Sequence, residues 1–431
     1  MIIQIGLQDH IGDMGRYGSS NESWGDKFCA FILAVSPILQ HYKGPVQNAG
    51  FTVLLLIIPW LTLRFFTRLR GGYVERNCLI AVVPILLFEI YCAVVHPSGM
   101  MRMFYQFFMI WLFICIAGGT VNMKVFLRIA IAIVTVAAGL LLVQYASHYV
   151  LHRTINLRPF NLLVSESNIW VRHAERGLRA GALYRPAAFF LEPSHLFLYS
   201  FPILAVLLLS PGMTGWRKIR AIIITAAMVL STSGMGIVAV IGLWGLYFLF
   251  YRNNEEKRAI TLGKIFSPKT ITIAVVLLIA LGVAYFNVPI IARTINRILA
   301  STEGSSAIDG RIRLASHYIT GISGVAVFFG QSNVVQELNF NLAGFFATYI
   351  KWGVFGLILS YWHYAQGLFR LKHAYFWISA IILVISFFTA HTHGTFYMVY
   401  YTVFLMNGYY ESALAKEEET LPGAALQRRQ V

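Results

Sequence analysis

Apolar segments recur along the whole chain, each about 15–22 residues long, which is close to the length that an α-helix needs to cross a bilayer. No water reaches the hydrocarbon core, so every backbone polar group must find its partner within the segment, as it does in an α-helix. Hydrophobic residues make up 58% of the sequence and charged residues 12%, a balance typical of membrane proteins. The sequence therefore predicts an all-α, polytopic integral membrane protein.

About twelve of these segments are candidates for transmembrane helices, and several of them are short. They cover residues 28–41, 46–65, 77–95, 103–119, 125–147, 187–209, 219–233, 236–251, 270–288, 341–360, 374–390 and 394–411. Small polar residues at 231–236 divide one long apolar run into two, which predicts either a tight turn or close helix packing.

Four short loops carry clustered arginine and lysine residues, and the number of crossings places all four on one side. The residues concerned are Arg64, Arg68, Arg70 and Arg76, then Arg217, Lys218 and Arg220, then Arg252, Lys257, Arg258, Lys264 and Lys269, and finally Arg370 and Lys372. Short cytoplasmic loops are enriched in such residues, so this side is predicted to be cytoplasmic. The formal net charge of +16 is explained by basic residues in the loops on the two sides of the membrane. It therefore does not indicate a nucleic-acid partner, and none is predicted.

The same count of crossings predicts how the chain is organised. The predicted parts are a cytoplasmic N-terminal segment (1–27), a first helix group (28–147), an extracytoplasmic basic loop (148–186), a second helix group (187–288), a large extracytoplasmic loop (289–340), a last helix group (341–411) and a cytoplasmic tail (412–431). The end of the chain from Glu411 to Val431 contains four glutamates together with proline and glycine, and this composition predicts disorder.

Arginine is concentrated in the two long outer segments. The first holds Arg153, Arg158, Arg172, Arg176, Arg179 and Arg185, and the second holds Arg293, Arg297, Arg311 and Arg313. Nine of the twelve histidines also fall at or beyond this boundary, namely His41, His96, His148, His152, His173, His195, His317, His391 and His393. Guanidinium groups bind phosphate oxygens bidentately, which favours a lipid-linked phosphate or diphosphate as ligand. The alternative is that these side chains only reach lipid headgroups.

The stretch from Tyr184 to Ser194 combines an arginine with a carboxylate immediately before an apolar run. A charge at a membrane boundary is expensive unless it is paired or functional. Glu192 has two interpretations: an acid at a helix N-terminus, followed by Pro193 in the first turn, or a group that orients an arginine or accepts a proton from a sugar hydroxyl.

No motif for nucleotide binding or for zinc-protease chemistry occurs in the sequence. His391 and His393 flank a short turn and could bind a metal, but two ligands without a neighbouring carboxylate favour a hydrogen-bonded turn. We therefore predict no metal and no cofactor.

Several short motifs, in their order along the chain, resemble the Wzy-type polysaccharide polymerases and the related O-antigen ligases. The motifs are Arg185-Pro186 followed by Phe190-Leu191-Glu192-Pro193-Ser194, the Ser231-Thr232-Ser233-Gly234 segment, Gly310-Arg311-Ile312-Arg313, and Gly330 followed by a polar stretch and Lys351-Trp352-Gly353. The sequence departs from many relatives after the serine-rich segment, where it has Gly234 and Met235 instead of an arginine.

The resemblance implies a metal-independent glycosyltransferase of the bacterial cytoplasmic (inner) membrane, with its active face outside. Its substrate is an undecaprenyl-diphosphate-linked oligosaccharide, and chain-length regulator and export proteins are implied partners beside the lipid bilayer. By the same resemblance, Arg185, Arg311 and Arg313 bind the diphosphate, and Glu192 or His317 acts at the acceptor hydroxyl.

Two other functions are compatible with the sequence. An O-antigen ligase would transfer the glycan to a lipid A core or another acceptor. A lipid-linked oligosaccharide flippase would have a similar number of helices, but its charges should lie in a cavity among them. Here most charges fall in loops and not among the helices, and ten arginines lie in the two outer segments, which favours chemistry at the outer face.

Overall fold

The computed structural model of the protein describes residues 23–71, 74–95, 100–158, 162–165, 167, 171–172, 184–210, 214–248, 315–316, 318–331, 344–389 and 395–420, together with a few isolated residues between 268 and 287. Of the residues predicted for the site, Arg185 and Glu192 are described, whereas Arg311, Arg313 and His317 lie outside the described residues. The same holds for the two histidines of the predicted metal alternative, His391 and His393.

The described part of the chain is helical. Its helices are α1 (Trp24–Leu39), α2 (Ala49–Arg70), α3 (Arg76–Val95), α4 (Met100–Ala117), α5 (Met123–Val150), α6 (Pro193–Leu209), α7 (Gly215–Leu230), α8 (Gly234–Leu246), α9 (Ala326–Phe329), α10 (Gly344–Ala365), α11 (Gly367–Arg370), α12 (His373–Phe388) and α13 (Thr395–Thr420). Among these residues there is no strand, and a single antiparallel bridge joins Tyr42 to Leu163. The predicted all-α class is confirmed.

Three of these helices, α2, α3 and α5, are long and apolar enough to cross a membrane. Shorter apolar helices cover Met103–Ala117, Pro193–Leu209, Gly234–Leu246 and His373–Phe388. The architecture is that of an all-α membrane protein. Helices occur at eleven of the twelve predicted segments, and the segment at 270–288 lies almost entirely outside the described residues. The count of twelve crossings stays a prediction.

Most helix boundaries differ from the predictions by a few residues, and the two largest differences have a local explanation. The segment predicted to begin at residue 187 becomes helical only at Pro193, because Ala188 has a positive φ of 52° and Glu192 is extended. At the other end of the chain, α13 continues to Thr420, so the first part of the predicted disordered tail is helical. Alanine, lysine and glutamate, which dominate residues 413–419, are strong helix formers, and this explains the extension.

The chain divides into two compact units. The first draws its described residues from Ser36–Thr52 and Ala130–Arg313. At its centre α6 is buried along nearly its whole length and packs against α7 and α8. The turn between α7 and α8 is tight and buried, and the Ser233 hydroxyl accepts a hydrogen bond from the Gly236 N–H. Of the two alternatives predicted for the small-residue segment, a tight turn and close helix packing, the structure has the turn.

The second unit draws its described residues from Ile11–Val35, Val53–Ile129 and Leu314–Val431. In this unit α3 packs against α4, α10 and α13, and α12 packs against α10, α11 and α13.

Within the same unit, Asp26 is buried and forms an ion pair with Arg64, whose guanidinium also donates to Asp26 Oδ2 at 2.8 Å. The helix α10 is not continuous, because Gly353 has non-helical backbone angles.

Candidate functional site

The candidate site lies in the first unit, where the segment Tyr184–Glu192 leads into α6. Glu192 is the N-cap residue of α6, its backbone is extended, and Pro193 occupies the first helical position. The carboxylate does not cap the helix, and Oε2 instead accepts a hydrogen bond from the Ser194 hydroxyl at 2.9 Å. Glu192 is half-buried. Both sequence interpretations of Glu192 fit this position, since it is a helix-terminal acid whose carboxylate is not used for capping.

The side chain of Gln144 on α5 determines the course of the segment before α6. Gln144 is buried; its Oε1 accepts a hydrogen bond from the Ala188 N–H at 2.8 Å, and its Nε2 donates to the Ile155 carbonyl at 3.0 Å. A turn follows, in which the Phe190 N–H donates to the Ala187 carbonyl. One amide thus connects α5 with the first part of the predicted basic loop and with the segment that follows this loop.

Arg158 contacts the segment directly beside Glu192. Its Nη1 donates to the Leu191 carbonyl at 2.6 Å, and its Nε donates to Asn156 Oδ1 at 3.1 Å. Burial raises the pKa of Tyr42 and the pKa of Tyr184, and the positive charge of Arg158 opposes the rise in both. The guanidinium therefore lies close enough to influence both phenols electrostatically.

Histidines from separate parts of the chain also meet in this unit. The rings of His41 and His195 stack, with centroids 4.6 Å apart and planes 16° from parallel, and His41 Nδ1 lies 3.3 Å from the Ser167 hydroxyl. His195 follows Glu192 in the first turn of α6, where its N–H donates to the Glu192 carbonyl at 3.0 Å. His148 at the end of α5 stacks on Tyr184, with centroids 4.0 Å apart.

Sequence reasoning placed Arg158 among the basic residues of the outer loop but did not select it for the site. It did not identify the role of Gln144 either. Neither residue belongs to a motif, and each acts through a contact with a backbone group more than thirty positions away. The only sequence signal for Arg158 was its membership of an arginine-rich segment beside Arg185.

The described residues contain no group of three or more histidine, cysteine, aspartate or glutamate side chains that could hold a metal ion. The side chains of the site are instead guanidinium, carboxylate, imidazole and phenol groups. Such a set can bind an anion through guanidinium N–H donors and can exchange a proton with a hydroxyl group.

Fold and site together define an all-helical membrane protein with a cation-rich, partly buried site at the start of one apolar helix. No family model matches the chain, and no curated protein matches it either. A function as a polysaccharide polymerase is therefore a proposal that rests on the sequence resemblance.

Proposed function

We propose that this protein is a membrane polysaccharide polymerase. It would transfer a growing glycan from undecaprenyl diphosphate to a lipid-linked repeat unit at the outer face of the bacterial cytoplasmic membrane. The sequence resemblance suggests the reaction. The structural observation that supports it is the meeting of Arg158 with the segment that carries Arg185 and Glu192.

The charges of this segment suit the chemistry of glycosyl transfer. In the proposed reaction the acceptor hydroxyl oxygen attacks the anomeric carbon of the donor, the bond from that carbon to the diphosphate oxygen breaks, and undecaprenyl diphosphate leaves. The hydroxyl proton passes to a carboxylate or imidazole, for which Glu192 and His317 are the candidates. Guanidinium groups stabilise the negative charge that develops on the leaving group, as a metal ion does in other enzymes.

In this proposal Arg185, Arg311 and Arg313 bind the diphosphate. Arg158 contributes as a positioning residue, because its hydrogen bond to the Leu191 carbonyl fixes the backbone next to Glu192. Loss of one guanidinium that acts on the leaving group should lower the rate about 10²–10³-fold.

The test uses cells that lack the gene and are complemented with wild type, Arg185→Ala or Glu192→Gln, with lipid-linked glycans resolved by size. Arg153→Gln is the matched control, because Arg153 is an exposed arginine of the same predicted loop. The abundance of each variant in the membrane is measured in parallel. We expect wild type and Arg153→Gln to make long chains, and the two site variants to accumulate single repeat units at the outer face.

Other outcomes would contradict the proposal in distinct ways. Long lipid-linked chains that never reach their acceptor would indicate the ligase. Single repeat units that remain at the cytoplasmic face would indicate the flippase. Normal chain length in both site variants would show that these residues do not act in polymerisation.

A further inference from the structure

In the second unit, the short helix α9 packs against α10 at the point where α10 is interrupted. Gly353 has a positive φ of 65° and interrupts α10, and Gly330, directly after α9, has a positive φ of 78°. A Cβ atom on Gly330 would clash with the backbone of Lys351, and one on Gly353 would clash with the backbone of Phe328. The two segments therefore pack backbone against backbone, as only glycine permits.

Two backbone carbonyls next to the break, those of Ile350 and Trp352, have hydrogen-bond partners outside α10. The Gln331 N–H donates to the Ile350 carbonyl at 2.8 Å, and the Tyr91 hydroxyl of α3 donates to the Trp352 carbonyl at 2.6 Å. Irregular backbone is tolerated at membrane depth only where its polar groups are satisfied in this way. These hydrogen bonds remove a major obstacle to placing the break in lipid.

The neighbouring helix α3 has an exposed apolar stripe that marks its lipid-facing side. The stripe consists of exposed side chains at alternating spacings of three and four residues, namely Ile80, Val83, Leu87, Ile90 and Val94. This spacing is that of one helix face. Because α3 is long and apolar enough to cross a membrane, the exposed stripe is where acyl chains would contact it.

The exposed side chains of α9 and its N-cap extend this apolar surface. Val325 is 72% exposed, and Phe328 and Phe329 are also exposed. The Phe329 ring stacks on Tyr91, with centroids 6.4 Å apart. Both phenylalanines lie beside Phe355, at 5.8 and 5.5 Å between centroids. Phe355 begins a second exposed apolar row on α10, which continues through Ile358 and Trp362.

The contacts of α3 also give the depth of α9 along that helix. Tyr91 bonds the carbonyl at the break, and Phe88, one turn earlier, lies 5.9 Å from the Trp352 ring between centroids. Tyr91 and Phe88 precede the last residue of α3, Val95, by four and seven residues, or about 6–10 Å of helix. Measured from the end of α3, this distance matches the depth at which amphipathic segments insert, between headgroups and acyl chains.

We propose that the segment Gly324–Gln331 is a re-entrant element whose exposed apolar side chains contact the acyl chains of the surrounding lipid. The observations that carry this inference are the continuous exposed face, the hydrogen-bonded carbonyls at the break and the depth along α3. It would place part of the predicted large extracytoplasmic loop (289–340) in contact with lipid, and it does not depend on the proposed enzymatic activity.

The test is site-directed spin labelling of the full chain in lipid vesicles. The four native cysteines, which are all buried, are replaced by alanine, and single cysteines are introduced by Val325→Cys and Phe328→Cys. Collision rates of the label are measured with oxygen, which concentrates in lipid, and with a water-soluble nickel chelate. Leu87→Cys on the α3 stripe is the lipid-facing control, and Lys372→Cys, at an exposed helix N-cap, is the aqueous control.

We expect labels at Val325 and Phe328 to behave like the label at Leu87, with frequent oxygen collisions and few nickel collisions. A pattern like that of Lys372 would place the segment in water and would overturn the proposal. Protection from both reagents would mean that a protein surface covers the segment, and it would overturn the proposal equally.

Discussion

Gln144 illustrates how much of the site depends on single side chains outside any motif. Its amide satisfies the Ala188 N–H and the Ile155 carbonyl, and the side chain is buried. Substitution Gln144→Met keeps the approximate shape but leaves a buried donor and a carbonyl without that partner. Each buried polar group that loses its partner costs about 1–3 kcal/mol. We expect a clear fall in the unfolding temperature measured in detergent.

The matched control is Gln40→Met. The Gln40 side chain is half-buried and donates to the carbonyl of Pro37, three residues away, so water can replace this bond more easily. An equal loss of stability in the two variants would show that the contacts of Gln144 have no special weight.

At this scale the sequence predicted the local features of the site and missed the long-range ones. One of the two interpretations of Glu192 placed it at a helix start, because proline suits the first helical position, and α6 begins at Pro193, although the predicted segment began at residue 187. The stacking of His41 on His195 joins residues more than 150 positions apart, and the sequence holds no local signal for such a pairing. The presence of Arg311, Arg313 and His317 in the site stays a prediction.

At the scale of the helices, the most specific prediction concerns the break in α10. Its contact with α9 requires glycine at two positions, Gly353 in α10 and Gly330 after α9. Gly353→Ala and Gly330→Ala should each force an L-residue into a backbone region of positive φ and ψ near 180°, which essentially only glycine adopts, at a cost of about 1–3 kcal/mol, and in addition push α9 away from α10. We expect both variants to unfold at a lower temperature. In the spin-labelling assay, we expect either variant to alter the accessibility of a label at Val325.

Gly139→Ala and Gly242→Ala are the controls for this prediction. Both glycines lie inside helices, and no atom within 4 Å would meet an added Cβ. Alanine favours a helix by about 0.8–1 kcal/mol over glycine, so these variants should be neutral or slightly more stable. If all four substitutions behaved alike, the close packing at the break would not contribute to stability.

The helices themselves were predictable because hydropathy reports directly on burial in lipid. The break in α10 was not, because Gly353 lies within an apolar run and glycine is frequent in membrane helices. The need for glycine at position 353 becomes visible only in the contact with Phe328, which precedes α10 by more than ten residues.

For the molecule as a whole, the distribution of arginine and lysine predicts the sidedness of the chain. Basic residues such as Arg70, at the end of α2, and Lys372, at the N-cap of α12, fall in short loops that the positive-inside rule places in the cytoplasm. Lys43, between α1 and α2, falls on the opposite side by the same count. All three side chains are exposed, so cysteine at these positions can be labelled without disturbing buried contacts.

With single cysteines at these three positions, we expect a membrane-impermeant maleimide to label Lys43→Cys in intact cells. Arg70→Cys and Lys372→Cys should react only after the membrane is permeabilised. Reaction of Lys43→Cys and Lys372→Cys alike in intact cells would mean that the number of crossings between them is even, so that one predicted span does not cross. A fully reversed pattern would place the candidate site in the cytoplasm, where a polymerase that acts on exported lipid-linked sugars could not use it.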